Sequence, residues 1–397
     1  MLIHVCGSKQ HYAWGSTTAI PELIGRPPDG RPLAEMWFGA HPAAPSTLPP
    51  GGAADLREHL DTESGREQLG EQVLARFGPH LPYLLKLIAP AAPLSLQVHP
   101  NLEQARAGFD REEAAGIPRE APERLYPDLN HKPELLYALT EFRALSGFRT
   151  PRRARELVSG LGVALADRLA QILQAEPTAG GVRRAVTVLL TPGQVGADEV
   201  SAVVEACAQR MGTRGASVRI DRTVARLGQA YPGDPGAVVA LLMNPVLLQP
   251  GEAMFVPAGA PHAYLSGLGV EVMANSNNVL RAGLTPKHID PEGLLDVLDC
   301  VAAPPVRIAP EVVGRTRVFY APVEDFELSV TTLTDEGWTE FPGHGPRLVL
   351  VLSGEGRLRT SESETIAAGG GDAFFVPATA GPVQAKGRAE VVQATVP

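Results

Sequence analysis

The sequence predicts a mainly β chain that is interrupted by a helical insert and closed by a second, smaller β domain. Three observations carry this expectation. The 37 prolines and 41 glycines are spread along all 397 residues, and they cut the chain into short runs as many strands and turns require. After Thr150-Pro151, leucines recur every fourth residue at Leu157, Leu161, Leu165, Leu169 and Leu173, the stripe of an amphipathic helix. Around Pro245 the strand-like pattern returns.

Taken in order, residues 1–150 read as short extended runs broken by Gly and Pro. Thr150 suits a helix N-cap and Pro151 the first helical position. A second helical stretch places Val200, Val203, Val204, Cys207 and Met211 on one face, with Asp198 and Glu199 in its first turn. Strands resume through about Val279, a short helix follows near Pro291–Leu298, and Ala302–Pro305 reads as a linker. Alternation begins again at Val306. The predicted units are therefore 1–150 with 243–305, a helical insert over 151–242, and a C-terminal β domain over 306–397.

Composition narrows the class. Hydrophobic residues at 44% and charged residues at 20% describe ordinary globular chemistry with enough apolar material for two or three domains. A net charge of −9 argues against nucleic acid or an anionic membrane as partner. A phosphorylated ligand would need Lys and Arg concentrated locally. Cys6, Cys207 and Cys300 are far apart and form no CxxC pattern, which predicts a reducing compartment. The start of the chain shows no basic region followed by a long apolar stretch, so the cytoplasm is the expected location.

Three segments carry chemistry. In Leu94-Ser95-Leu96-Gln97-Val98-His99 an extended chain would send Leu94, Leu96 and Val98 to one face and Ser95, Gln97 and His99 to the other. That polar row either faces solvent or lines a site inside a barrel. In Asn130-His131-Lys132-Pro133-Glu134, Pro133 biases Lys132 toward an extended conformation, so Lys132 and Glu134 share a face. The run from Gly251 to His262 fits G-x5-P-x-G-x2-H, a strand entering a Pro/Gly turn that aims His262 inward. This spacing resembles the second characteristic motif of cupin barrels. Gln97, His99, Glu134 and His262 together offer two imidazoles, a carboxylate and an amide oxygen, a set that suits a borderline divalent metal. Zinc leads, with manganese, iron and cobalt also compatible.

These segments, with Tyr12-Ala13-Trp14-Gly15, the block Ala34–Pro42 and the block Asn278–Lys287, closely resemble the type I mannose-6-phosphate isomerases, with the blocks in that family's order. The resemblance implies a cupin-type double-stranded β-helix barrel, one Zn2+ per chain bound by Gln97, His99, Glu134 and His262, and Arg281 as a catalytic arginine. It places Ser95, Lys86 and Lys287 at the substrate phosphate, with Trp14 and Trp37 as pocket walls or core. It implies interconversion of D-mannose 6-phosphate and D-fructose 6-phosphate through an enediol(ate). The proton carrier is left open among Glu271, Lys132, His131 and the more distant His41. A small-molecule sugar phosphate is the expected partner, and a monomer or weak homodimer the expected state. A sugar-phosphate-binding regulator or a metal-dependent oxygenase are the competing readings. An oxygenase usually relies on a His-rich iron site, and here Gln97 replaces one such histidine.

Finally, Gly371–Pro377 repeats the G-x5-P half of the motif, but Pro382 stands where the first copy has His262. The C-terminal domain is thus expected to be a degenerate cupin-like copy without a metal site.

Overall fold

The computed structural model describes residues 2–212, 218–361 and 365–397. Three antiparallel sheets organise it. A seven-stranded sheet runs in the order Val306–Ile308, Ala253–Val256, Glu134–Ala138, Gly269–Ala274, Tyr83–Ile88, Glu35–Phe38, Ser8–Gln10. A five-stranded sheet runs Leu280–Arg281, Gln97–Val98, His262–Ser266, Phe142–Phe148, Met243–Leu248. The nine-stranded third sheet holds the strands from Glu311 onward together with Ile3–Val5.

Strand alternation explains how these layers pack. In the seven-stranded sheet, Met36, Phe38, Leu85, Leu87, Leu135, Tyr137, Val270 and Val272 belong to one core with Phe319, Leu328, Leu348 and Val392 of the C-terminal sheet. The opposite face of the same strands presents Leu136 and Ala138, which share a core with Phe142, Ala144 and Tyr264 of the five-stranded sheet. The outer face of that sheet, including Ala263 and Leu265, packs on the helical insert. Sheets covered on both faces read as near-continuous apolar strands. YLLKLI and GVEVMA are buried at every position, so Lys86 and Glu271 must find partners inside.

The insert contains more helices than the sequence predicted. The leucine stripe is not one helix: Pro151–Val158 and Ala164–Ala175 are separated by a turn in which Gly160 and Gly162 have φ of +78° and +69°. The two glycines reverse the chain, and the buried leucines Leu157, Leu165, Leu169 and Leu173 meet in one core from two helices. Ala197–Arg210 buries Val200, Val203 and Cys207 as expected, while Met211 is its C-cap. Ala179–Leu190 and Val218–Ala230 complete the main bundle. Residues 1–150 also contain helices, the longest Leu102–Ala114, which a capping box between Asn101 and Gln104 starts. Its buried residues are Ala105, Gly108 and Glu112, so it shows no apolar stripe to read.

Two strands cross the predicted boundaries. Ile3–Val5 pairs with Ala373–Val376 of the C-terminal sheet, and Val306–Ile308 pairs with Ala253–Val256 of the first. The internal repeat is matched in the backbone: Gly251 and Gly371 have φ of +89° and +91°, and the strands that follow are Ala253–Val256 and Ala373–Val376. After the turn, His262 opens one strand, and Val383 opens its counterpart. Among the described residues no helix is long and apolar enough to cross a membrane.

Candidate active site

Period-two alternation puts Glu35, Trp37, Lys86, Glu134 and Glu271 on the face of the seven-stranded sheet that looks toward the five-stranded one. Register then aligns them, with Trp37 opposite Lys86 and Lys86 opposite Glu271. On the facing sheet, Arg281 is opposite Gln97, and Gln97 is opposite His262. The two rows enclose a small chamber of about 40 Å³ lined by Glu35, Lys86, Gln97, Lys132, Glu134, His262, Tyr264 and Glu271. It opens, through shared Glu35, Lys86, Leu94, Gln97 and Lys132, into a cleft of about 890 Å³.

His99, Glu134 and His262 converge at the chamber, with potential ligand atoms all within 4.8 Å of one another. His99 Nε2 lies 3.1 Å from Glu134 Oε1, and His262 Nε2 lies 3.4 Å from Oε2. The other ring nitrogens face backbone carbonyls, His99 Nδ1 that of Asn278 at 2.8 Å and His262 Nδ1 that of Ala260 at 3.3 Å. A carbonyl only accepts, so the proton sits on Nδ1 and the Nε2 lone pair points at a carboxylate. His99 Nε2 is accordingly buried without a hydrogen bond. Two electron-rich atoms so close, away from water, repel one another unless a cation lies between them. The donor set therefore fits a divalent metal.

The charges agree with this. Burial, then the neighbouring Lys132 ammonium, pushes the His99 imidazole down to about 3, so it is neutral. Burial alone would raise Glu134, but Lys132, 3.0 Å from Oε1, holds it well below the usual carboxylate range. The Tyr264 hydroxyl donates to Glu134 Oε2 at 3.2 Å. The Gln97 amide nitrogen donates to Ser95 Oγ at 3.2 Å, which leaves its Oε1 as the atom suited to a cation.

The outer cleft gathers the remaining basic groups. Trp14, Trp37, His41, Ser95, Arg281 and Lys287 line it together with Lys86 and Lys132. Partial burial lowers Arg281, and burial together with the neighbouring Arg281 charge lowers Lys287. His41 stacks edge-on against Trp37 and is pushed down to about 3, first by burial and then by Lys86 and Lys132.

The structure does not bring His131 into this site. Its Nε2 pairs with Asp325 at 3.0 Å and it lines a separate groove with Pro322 and Glu324. The alternation that aims Lys132 inward turns His131 away. Leu94 also departs from expectation. Leu96 and Val98 pack on the insert, whereas Leu94 joins the core between the sheets and lines the chamber. Only Gln97–Val98 is regular strand there. Sequence reading missed Glu35, which accepts a 2.6 Å hydrogen bond from Trp37 Nε1, and Tyr264.

Comparison with known proteins bears on this arrangement. A family model described as phosphomannose isomerase type I, catalytic domain, matches residues 2–151. The mannose-6-phosphate isomerase of Salmonella typhimurium is 40% identical over 386 residues, covering 96% of each chain. That of Escherichia coli is 38% identical over 395 residues, covering 97% of each. A crystal structure of the Salmonella typhimurium enzyme bound to its substrate fructose 6-phosphate and zinc superposes with a TM-score of 0.89 at 37% identity, covering 100% of this chain and 99% of that one. With identity of this order sustained over nearly the whole length, the chain belongs to the type I mannose-6-phosphate isomerase family.

Proposed function

We propose that this chain is a zinc-dependent aldose–ketose isomerase that interconverts D-mannose 6-phosphate and D-fructose 6-phosphate on a cupin-type barrel. The observation that carries the reading is the convergence of two Nε2 lone pairs on the Glu134 carboxylate at the floor of a cleft rimmed by Arg281 and Lys287. The zinc-bound Salmonella typhimurium relative supports the choice of metal. Gln97, His99, Glu134 and His262 are the residues that would hold it. Bound there, the cation supplies Lewis-acid stabilisation to developing enediolate oxygens, worth several kcal/mol.

The chain's own residues do the rest. Isomerisation moves a proton between C2 and C1 while the carbonyl migrates the other way. Of the four candidate proton carriers, Glu271 and Lys132 line the chamber, and we assign the shuttle to Glu271. Its carboxylate is held in place by Lys86 Nζ at 3.2 Å. Lys132 is engaged with Glu134 at 3.0 Å and helps to hold that carboxylate in place. Arg281 orients the open-chain sugar from the facing sheet, and Lys287 with Ser95 grips the phosphate, whose binding energy holds the sugar in register.

The test is metal analysis paired with a coupled assay on mannose 6-phosphate. Activity should disappear on chelation and return with zinc. Arg281→Ala should lower kcat with metal content retained, and Lys287→Ala should mainly raise KM. Full turnover by metal-free protein would end this reading, and oxygen uptake with iron would favour an oxygenase.

A further inference from the structure

A second cleft, of about 500 Å³, lies between the helix Val218–Ala230 and the five-stranded sheet. Arg219, Arg222 and Arg226, spaced three and four apart on one face of that helix, line it together with Arg143 from the strand Phe142–Phe148. Four arginine side chains around one mostly apolar cleft run against a chain whose net charge is −9. Arg143 pairs with Glu141. Arg219, Arg222 and Arg226 have no carboxylate partner among the described residues. Arg226 instead donates to the Ala91 carbonyl at 2.9 Å and to Ser266 Oγ at 3.4 Å. Between the arginines the lining is apolar, with Pro93 and Leu265 among the wall residues.

We propose that this cleft binds a nucleoside diphosphate and that its occupancy is coupled to the active site. Guanidinium forks without a carboxylate partner match phosphate oxygens two at a time. Three of them, with Arg143 alongside, exceed what one monophosphate would use. The volume falls in the range of small-molecule sites. The apolar wall, with arginine planes beside it, gives a flat base a surface on which to lie.

The coupling runs through a few residues of backbone. Pro93 lines this cleft, while Ala92 and Leu94 on either side of it line the active-site cleft. Arg226 holds the Ala91 carbonyl, and the Tyr231 hydroxyl holds that of Pro93 at 2.8 Å. The same segment continues into Ser95 and Gln97. A phosphate that draws Arg226 away from Ala91 releases one of these two anchors. The effect must be reciprocal: occupancy that changes sugar-phosphate affinity is changed by sugar phosphate to the same extent.

The test is calorimetric titration of the zinc-loaded protein with ADP, pyrophosphate and inorganic phosphate. The readout needs no turnover, so it stands even if the isomerase reading fails. ADP should bind more tightly than pyrophosphate. The Arg219→Ala/Arg222→Ala variant should bind ADP about tenfold or more weakly, as expected for lost charge-assisted hydrogen bonds, with unchanged basal turnover. Lys287→Ala should bind ADP normally. Mannose 6-phosphate should shift the ADP Kd. Absence of ADP binding, binding indifferent to the paired arginine substitution, pyrophosphate binding as tight as ADP, or loss of binding in Lys287→Ala would each overturn the site. An ADP Kd that mannose 6-phosphate leaves unmoved would overturn the coupling.

Discussion

Lys86 and Glu271 stand directly opposite one another on adjacent antiparallel strands, and their side chains close an ion pair of 3.2 Å almost wholly withdrawn from solvent. Burial opposes the charge on Lys86, but Glu35, Glu271 and Glu134 together outweigh it and hold the ammonium above the ordinary lysine range. Burial and then Glu134 hold Glu271 above the usual carboxylate range against the pull of Lys86. Lys86 is thus the counter-charge that lets several carboxylates share a buried chamber. Removing it leaves Glu271 buried without its partner. Lys86→Met should cost about 3–5 kcal/mol in denaturant unfolding. Lys86→Met/Glu271→Gln should cost clearly less than the sum of the single changes, because the second substitution removes the stranded charge. Additive costs would mean that the two groups do not depend on one another. Glu271→Gln alone should lower kcat by about 10²–10⁴ with zinc retained.

Tyr264 adds a different constraint. Its hydroxyl fixes one oxygen of Glu134, and groups that orient a metal ligand typically affect affinity by about 10–100-fold. Tyr264→Phe should weaken zinc by that order in competition with a chromogenic chelator, with the fold intact by circular dichroism. Unchanged affinity would show that Glu134 is oriented without it.

Much of this site was legible because strand alternation converts sequence spacing into shared faces. The segments gave Gln97 and His99 one face, Lys132 and Glu134 another, and His262 an inward aim, while the resemblance to the family supplied their reading as one ligand set. Applied consistently, the same rule would have found more. Tyr264 lies two residues beyond His262 and Glu35 two before Trp37, so each belongs to an inward face already identified. It would also have rejected His131, one residue from Lys132. The leucine stripe misled for the opposite reason: helical spacing survives a turn when two helices feed one core, and only Gly160 and Gly162 mark the break. Cross-sheet pairings such as Ile3–Val5 with Ala373–Val376 join residues hundreds of positions apart, and no local pattern encodes them.

Glu327 offers a stability test in the C-terminal sheet. It is buried in the C-terminal sheet opposite Thr395, and no basic group pairs with it among the described residues. Burial pushes its carboxyl up to about 7 from the ordinary 4.5. The folded state then holds a proton that the unfolded chain releases. The contribution of this group is fully favourable below the unfolded value and is lost as pH rises through about 7. Glu327→Gln should remove that loss. Between about pH 5 and pH 8 the unmodified protein should lose about 1–2 kcal/mol relative to the variant, after allowance for solvent screening. Parallel stability curves for the two proteins would contradict the assignment.

The loop that follows Arg281 and carries Lys287 is held by the helical insert, through Asp234. Leu284 adopts a φ of +58°, which is unfavourable for a side chain of its kind, and Asp234 Oδ2 accepts its backbone N–H at 2.7 Å. The other Asp234 oxygen accepts Gly236 N–H at 2.8 Å. Gly283, at φ +127°, lets the loop approach so closely that a Cβ there would meet Asp234 Oδ1 at 2.6 Å. The insert is thereby tied to the position of both cations in the cleft, although Asp234 itself does not line it. Asp234→Ala should release Leu284 from its strained conformation and raise KM for mannose 6-phosphate by about tenfold, since small displacements of positioning groups are costly. Zinc content should stay unchanged. Gly283→Ala should produce the same shift in KM through a steric route. If either variant binds substrate as well as the unmodified protein, the loop is held by other contacts and the insert has no part in positioning Arg281 and Lys287.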